Sequence, residues 1–284
     1  MERIAVVGCG LMGSGIAEVA ARSGFEVIVV ESTNAAVDLG RERVSKSLRK
    51  SLDAGKLSPE DFENASQRLH FSTELSALGG ADLVIEAISE QADGKFELFR
   101  QLDELFGDAP VVLASNTSSI PIARIAEVTA HPERVIGLHF FNPVPTMKLV
   151  EVIAGQRTSK ETVLKAHELA AALNKTAVTA PDQAGFIVNA LLIPYLLAAI
   201  RLFESGNASS QDIDTAMVLG CGHPMGPLRL TDLIGLDTTL AIAEVLFAAS
   251  GEAHLTPPPL LVTMVAEGRL GRKTGEGFFS YPQS

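Results

Sequence analysis

Three clusters along this 284-residue chain have the residue types and spacing for chemistry. In the first, Gly8-Cys-Gly10-Leu-Met-Gly13, three glycines stand between a short apolar run and a helical pattern, which is the context of a dinucleotide-binding turn. Gly8 would allow the tight turn and Gly10 close approach of the backbone to a pyrophosphate. Gly13 would let helix pack on strand, and the helix N-terminus, at Leu11 and Met12, offers unpaired N–H groups to the anion. Eighteen residues after Gly13, at the end of the next apolar run, comes Glu31. A carboxylate there accepts hydrogen bonds from ribose hydroxyls and repels a 2′-phosphate, and Ser32-Thr33-Asn34 bring no arginine to receive one, so the pattern points to NAD. A glycine-rich turn beside a surface glutamate is the plainer alternative. The second cluster is His139 with Glu151. The histidine ends an apolar run and leads into Phe140-Phe-Asn142-Pro-Val-Pro145, and the glutamate lies inside Lys148-Leu-Val-Glu-Val-Ile153, where burial without a partner would be costly. An imidazole oriented by a carboxylate makes a general base near neutral pH; an unrelated surface glutamate is the competing reading. The third, Ser115-Asn-Thr-Ser118-Ser119, is a hydroxyl-rich strand end that suits either a ligand-facing loop or a helix N-cap before Pro121.

The elements that must hold these groups follow from periodicity. Short β-branched runs at Arg3–Val7, Glu26–Val30, Leu83–Ile88, Val111–Leu113 and Val135–His139 alternate with helical patterns at Asn34–Leu52 and Lys95–Phe106. This is the signature of an α/β fold with a Rossmann-type, mostly parallel sheet. Ser58-Pro-Glu-Asp predicts a capped helix within a long excursion after the second strand, a possible arm for substrate. From about Asp182 the pattern becomes helix after helix, over 184–204, 209–219, 227–234, 237–249 and 259–267, with Gly206, Gly220, Gly235 and Gly251 at expected helix ends. The expected domains are therefore 1–182, dinucleotide-binding, and 183–284, all-α.

Composition narrows the function classes. A net charge of −11 works against general nucleic-acid binding. Two cysteines, Cys9 and Cys221, have no metal-ligand spacing and cannot frame a chain this long, so free thiols in a reducing, cytoplasmic setting are expected, with no metal. The most apolar stretch, 186–200, is too short to cross a membrane and reads as a buried helix, and a first strand starting at Arg3 leaves no room for a signal peptide.

Four motifs together carry a family resemblance: His139-Phe-Phe-Asn-Pro-Val-Pro, Ser115-Asn-Thr-Ser-Ser, Gly185-Phe-Ile-Val-Asn189 and Lys273-Thr-Gly-Glu-Gly-Phe278. With Asp212-Ile-Asp-Thr-Ala-Met217 and Pro224-Met-Gly-Pro227, they resemble the L-3-hydroxyacyl-CoA dehydrogenase family over essentially the whole chain, most closely its small, stand-alone 3-hydroxybutyryl-CoA dehydrogenases. The resemblance implies NAD-dependent oxidation of an L-3-hydroxyacyl-CoA thioester, or the reverse, in a cleft between the domains of a homodimer. It implies His139 as base, Glu151 as its orienting carboxylate, and Ser118 and Asn189 as substrate-positioning groups. Asn142 joins the site, Glu90, Lys95 and Lys273 match positions that contact NAD, and Ser47 matches a coenzyme A contact. A family lysine has no exact counterpart near Ala54, which leaves Lys56 as its candidate. Two other readings stand beside this one: a dehydrogenase of free 3-hydroxy acids, similar to L-gulonate dehydrogenase and the lens lambda-crystallins, and a non-enzymatic NAD-binding structural protein. In those free-acid relatives proline follows the histidine, where this chain has Phe140-Phe141.

Overall fold

The computed structural model describes residues 1–282, which divide into two compact units, Met1–Gln183 and the remainder from Ala184. The first unit is built on eight strands: β1 (Arg3–Val7), β2 (Glu26–Val30), β3 (Leu69–Ser72), β4 (Leu83–Glu86), β5 (Val112–Ser115), β6 (Val135–Phe140), β7 (Leu149–Ala154) and β8 (Thr176–Ala180). They form one sheet in the order β3-β2-β1-β4-β5-β6-β7-β8, parallel except where β6 meets β7. Six helices accompany it: α1 (Leu11–Arg22), α2 (Asn34–Asp53), α3 (Pro59–Gln67), α4 (Ala92–Phe106), α5 (Ile122–Ala126) and α6 (Lys160–Ala172). The chain leaves β1 toward β2 on one side and returns to β4 on the other, so the crevice beyond their C-terminal ends is the topological switch point where open α/β sheets bind ligands. The Gly8–Gly13 turn lies in it.

β4 and β6 are buried throughout, as Val/Ile/Leu-rich strands covered on both faces should be. β3 and β8, which the periodicity did not predict, are the two edges of the sheet. Leu69-His-Phe-Ser and Thr176-Ala-Val-Thr-Ala are short and largely exposed, without the continuous apolar run that marks an inner strand. Ser58 caps α3 as its sequence suggests, accepting from the Asp61 N–H at 3.0 Å.

The second unit consists of α7 (Val188–Glu204), α8 (Ser210–Cys221), α9 (Pro227–Ile234), α10 (Leu236–Ser250) and α11 (Pro259–Ala266) around a core that includes Leu197, Ile200, Leu228, Leu236 and Leu261. Gly220, expected to end a helix, lies inside α8; the left-handed residue that stops it is Gly222, at φ +69°. Among the described residues no single helix is long and apolar enough to cross a membrane. Cys9 and Cys221 are free.

The start of β6 is anchored to the end of α4. Arg134 donates to Asp103 at 2.6 Å, and His131 sits between the carboxylates of Asp103, at 3.0 Å, and Asp108, at 3.1 Å. Hydrogen bonds to Asp103 and then Asp108 raise the His131 pKa, against smaller opposing effects of burial and Arg134. A raised histidine contributes stability that is complete below its ordinary value near ~6.5 and lost as pH rises through the folded value. His131→Asn should therefore lower the urea midpoint at about pH 5.5 and converge on wild type at about pH 9. A difference that grows with pH would contradict this assignment.

Candidate active site

Antiparallel pairing of β6 and β7 sets His139 directly opposite Glu151 in the register. Cross-strand neighbours of this kind share a face and lie within side-chain reach. The imidazole Nδ1 is 2.7 Å from Glu151 Oε2, and both residues are buried, Glu151 completely. A carboxylate accepts, so Nδ1 carries the proton of this bond, and in the neutral ring the basic lone pair is then on Nε2. Phe141 packs its ring against the imidazole at 4.6 Å between centroids.

A second network lies at the ends of β4 and β5, and its centre is a residue that sequence reasoning did not single out. Glu86, the last residue of β4, is wholly buried. Its Oε1 accepts from Lys95 Nζ at 2.6 Å and from the Ile88 N–H at 2.8 Å, and its Oε2 accepts from Ser115 Oγ at 2.5 Å. Lys95 is only 1% exposed and also reaches Glu90 Oε2 at 3.1 Å, so its ammonium is enclosed by two carboxylates. Glu90 in turn organises the serine loop. Its Oε1 accepts from Thr117 Oγ1 at 2.6 Å, Ser118 N–H at 2.8 Å, Ser119 N–H at 3.1 Å and Ser119 Oγ at 2.9 Å. Burial works to raise the Glu90 pKa, but the Lys95 charge, Thr117 and the Ser118 N–H outweigh it and hold the carboxyl below its usual range.

The serines do not cap a helix. α5 begins only at Ile122, and Asp182 accepts from the Ile122 and Ala123 N–H groups at 2.7 and 2.8 Å. Asn116, also overlooked in the sequence, accepts from the Phe140 N–H at 2.9 Å and so ties the end of β5 to the residue after His139. Asn142 is exposed in the loop that follows. Lys175 braces that loop, donating to the carbonyls of Val144 and Met147, both at 2.6 Å.

At the glycine turn, Gly8 has φ +92°, and a Cβ there would stand 2.7 Å from the Ala87 carbonyl oxygen. A Cβ on Gly13 would fall 1.8 Å from the Gly8 oxygen, whereas one on Gly10 would meet nothing within 4 Å. Two glycines thus let the chain close on itself and one leaves open space. α1 starts here with no side-chain cap, at the edge of a cavity of about 600 Å³ lined by Gly8, Gly10, Val30, Glu31, Ser32 and Ile88 among others. Glu31 Oε1 accepts a short hydrogen bond from the Cys9 N–H. An uncapped helix start, an open glycine and a carboxylate at the end of β2 suit the pyrophosphate and adenosine ribose of NAD. A third missed residue stands nearby: Arg43 of α2 donates to the Cys9 carbonyl at 3.2 Å.

Of the remaining expected residues, Ser47 is half-buried on α2 and Lys56 exposed just beyond it. In the second unit Asn189 is buried in the first turn of α7, and both Asp237 oxygens lie 2.5 Å from Lys273 Nζ.

The burial of two carboxylates around one lysine predicts an asymmetry. Lys95→Met leaves two anions uncompensated and should cost about 3–5 kcal/mol. Glu86→Gln leaves Lys95 paired with Glu90 and should cost less. Urea unfolding of the two variants checks this, and an equal or reversed order would show that the ion pair does not dominate the network.

Residues 3–183 match the family described as 3-hydroxyacyl-CoA dehydrogenase, NAD binding domain, and residues 185–281 match 3-hydroxyacyl-CoA dehydrogenase, C-terminal domain. The chain is 49% identical over 282 residues to a 3-hydroxybutyryl-CoA dehydrogenase of Mycobacterium tuberculosis, covering 99% of each chain. It is 45% identical to the human mitochondrial hydroxyacyl-coenzyme A dehydrogenase, covering 99% of this chain and 91% of that one. Among solved structures it is similar to the (S)-3-hydroxybutyryl-CoA dehydrogenase PaaH1 of Ralstonia eutropha, with a TM-score of 0.94, 42% identity and full coverage of both chains. For M. tuberculosis FadB2 the TM-score is 0.97, with 49% identity and 99% of each chain covered. With both halves matched by family and nearly the whole length shared with these relatives, the chain belongs to the 3-hydroxyacyl-CoA dehydrogenase family.

Proposed function

We propose that the chain oxidises short-chain L-3-hydroxyacyl-CoA thioesters such as 3-hydroxybutyryl-CoA to their 3-keto forms, and catalyses the reverse, with NAD as cofactor. The observation that carries the mechanism is the buried His139–Glu151 pair, its Nδ1 bound to the carboxylate at 2.7 Å. Bound NAD supplies the acceptor for the hydride that leaves carbon 3 of the substrate. His139 takes the hydroxyl proton at Nε2, the nitrogen turned away from Glu151. The anion then stabilises the imidazolium, and its hydrogen bond fixes the ring's tautomer and orientation, the division of labour of the carboxylate in a hydrolase triad.

Ser118, held on its loop by Glu90 through both N–H and hydroxyl, at 2.8 and 3.3 Å, is the group assigned to the reacting oxygen. Asn189 is assigned to the thioester carbonyl, and Ser47 with Lys56 to coenzyme A. Gly8, Gly10, Leu11, Met12, Gly13 and Glu31 would hold the adenosine and pyrophosphate end of NAD. Glu90, Asn142 and Lys273 complete the cofactor assignment. Lys95, enclosed by carboxylates, serves it by fixing Glu90. A homodimer, implied by the family resemblance, and a cytoplasmic location, argued from the two free cysteines, belong to the same reading.

The assay is loss of NADH absorbance with acetoacetyl-CoA. Turnover is expected with short 3-ketoacyl-CoA substrates, and its absence alongside oxidation of free 3-hydroxy acids would favour the free-acid reading. His139→Gln should lower turnover by ~10² to 10⁴-fold, the usual worth of general acid–base catalysis. Glu151→Gln should also slow it, and the double variant should be little worse than His139→Gln, because residues acting as a unit are not additive. Fully multiplicative losses, with folding and NADH binding intact, would dissolve the dyad.

A further inference from the structure

Arg43 is placed by the same turn that holds Glu31. α2 approaches that turn through Gly40, where a Cβ would stand 2.6 Å from Cys9 Cβ and 2.7 Å from its Sγ. One helical turn later, on the same face, Arg43 sends its guanidinium to the Cys9 carbonyl at 3.2 Å. Glu31 holds the N–H of that same residue. Carboxylate and guanidinium therefore grip the two polar backbone groups of one residue. The Cys9 thiol registers both charges: burial and then Glu31 push its pKa up, Arg43 pulls it down, and the result is about 12.

The other arginines of α2 have partners. Arg41 pairs with Asp38 at 3.7 Å and lies over Phe71, and Arg49 lies over Phe62. Among the described residues no carboxylate forms an ion pair with Arg43, and one of its five N–H donors suffices for the Cys9 carbonyl. In sites of this type a carboxylate at the end of the second strand accepts the adenosine ribose 2′-hydroxyl, and an arginine nearby accommodates a 2′-phosphate. This chain carries both. Ser32-Thr33-Asn34 bring no arginine, but the packing of Gly40 on Cys9 delivers one from within α2.

We propose that Arg43 is a latent receptor for a phosphate at the adenosine 2′ position, and that Glu31 alone keeps the site selective for NAD. The proposal rests on the dinucleotide reading of the glycine turn and names a further residue that decides between its two possible cofactors. Removing the Glu31 carboxylate takes away the repulsion and leaves the guanidinium's remaining donors to make charge-assisted hydrogen bonds to phosphate, a geometry arginine suits.

The test is calorimetric binding of 5′-AMP and of adenosine 2′,5′-bisphosphate to the full chain, with kcat/KM for NADH and NADPH measured in parallel. Glu31→Ser should raise affinity for the bisphosphate relative to 5′-AMP by about tenfold or more. Adding Arg43→Ala should remove most of that gain, whereas Arg49→Ala, which deletes the same charge further along α2, should leave it. Arg43→Gln keeps a donor for the Cys9 carbonyl and should also remove the gain, which guards against a folding defect in the alanine variant. A gain that survives both Arg43 variants, or is lost equally with Arg49→Ala, overturns the proposal, as does a Glu31→Ser protein with no gain. An effect of Arg43→Gln confined to the KM of the CoA thioester would assign the guanidinium to coenzyme A instead. Failure of wild type and variants alike to bind 5′-AMP would overturn the dinucleotide reading, and this proposal with it.

Discussion

The site depends on one constraint: the Glu86 carboxylate, wholly buried at the end of β4, has to be met by donors from elsewhere in the fold. Lys95 reaches it from α4 and Ser115 from β5, so strand, helix and neighbouring strand are fixed together at the switch point. The consequences run outward in both directions. Lys95, so placed, holds Glu90, which gathers the serine loop. Ser115, so placed, precedes Asn116, which holds the Phe140 N–H and thereby the strand end bearing His139. Glu90, Ser118 and the strand end bearing His139 are thereby all tied back to one buried carboxylate.

The dinucleotide end is built by backbone rather than by side-chain networks. Three glycines do unlike things there: Gly8 folds the turn under the end of β4, Gly13 lets α1 press on it, and Gly10 faces open space. Glu31 is tethered to the Cys9 N–H, so the group that would read the ribose is part of the turn that would hold the pyrophosphate. On this reading a single local segment would decide both how the cofactor's phosphates are received and which ribose is accepted.

How much of this the sequence displays follows from the range of each interaction. The glycine turn, Glu31 and the His139–Glu151 pair were legible because each is local or lies across one strand connection, and because a polar residue in an apolar strand announces a buried partner. Glu86 is just such a residue, in Leu83-Val-Ile-Glu, and that signal was available but was passed over among nearby acidic residues. Lys95 enters through the family resemblance as a match to a position that contacts NAD, and its helical pattern carries no sign of the two carboxylates that fold over it. Arg43 was invisible because its place depends on Gly40 packing against Cys9, a contact between elements far apart in the chain. The edge strands β3 and β8 lacked the apolar run that only two-sided burial demands.

Carboxylates that accept several hydrogen bonds recur in both units, and their partners separate support from chemistry. Asp182 accepts the first N–H groups of α5, and Asp214 those of Leu228 and Arg229 at the start of α9. Asp232 accepts from the N–H groups of Phe278 and Phe279 and from Tyr281 Oη, fastening the last described segment to α9. Amide donors cannot give up their protons at physiological pH, so anions of this kind can only hold backbone in place. Glu86 is held by Lys95, which lies between two carboxylates, and it too is a brace. Glu151, like Asp103 beside His131, faces an imidazole, the one side chain whose ordinary titration range lies near neutrality. Its hydrogen bond survives whether the ring is neutral or protonated, because Nδ1 carries a proton in both forms. The ring can therefore gain and lose a proton at Nε2 without breaking the contact that positions it, and that property, which the carboxylates held by amides or by lysine lack, is what a reversible general base requires.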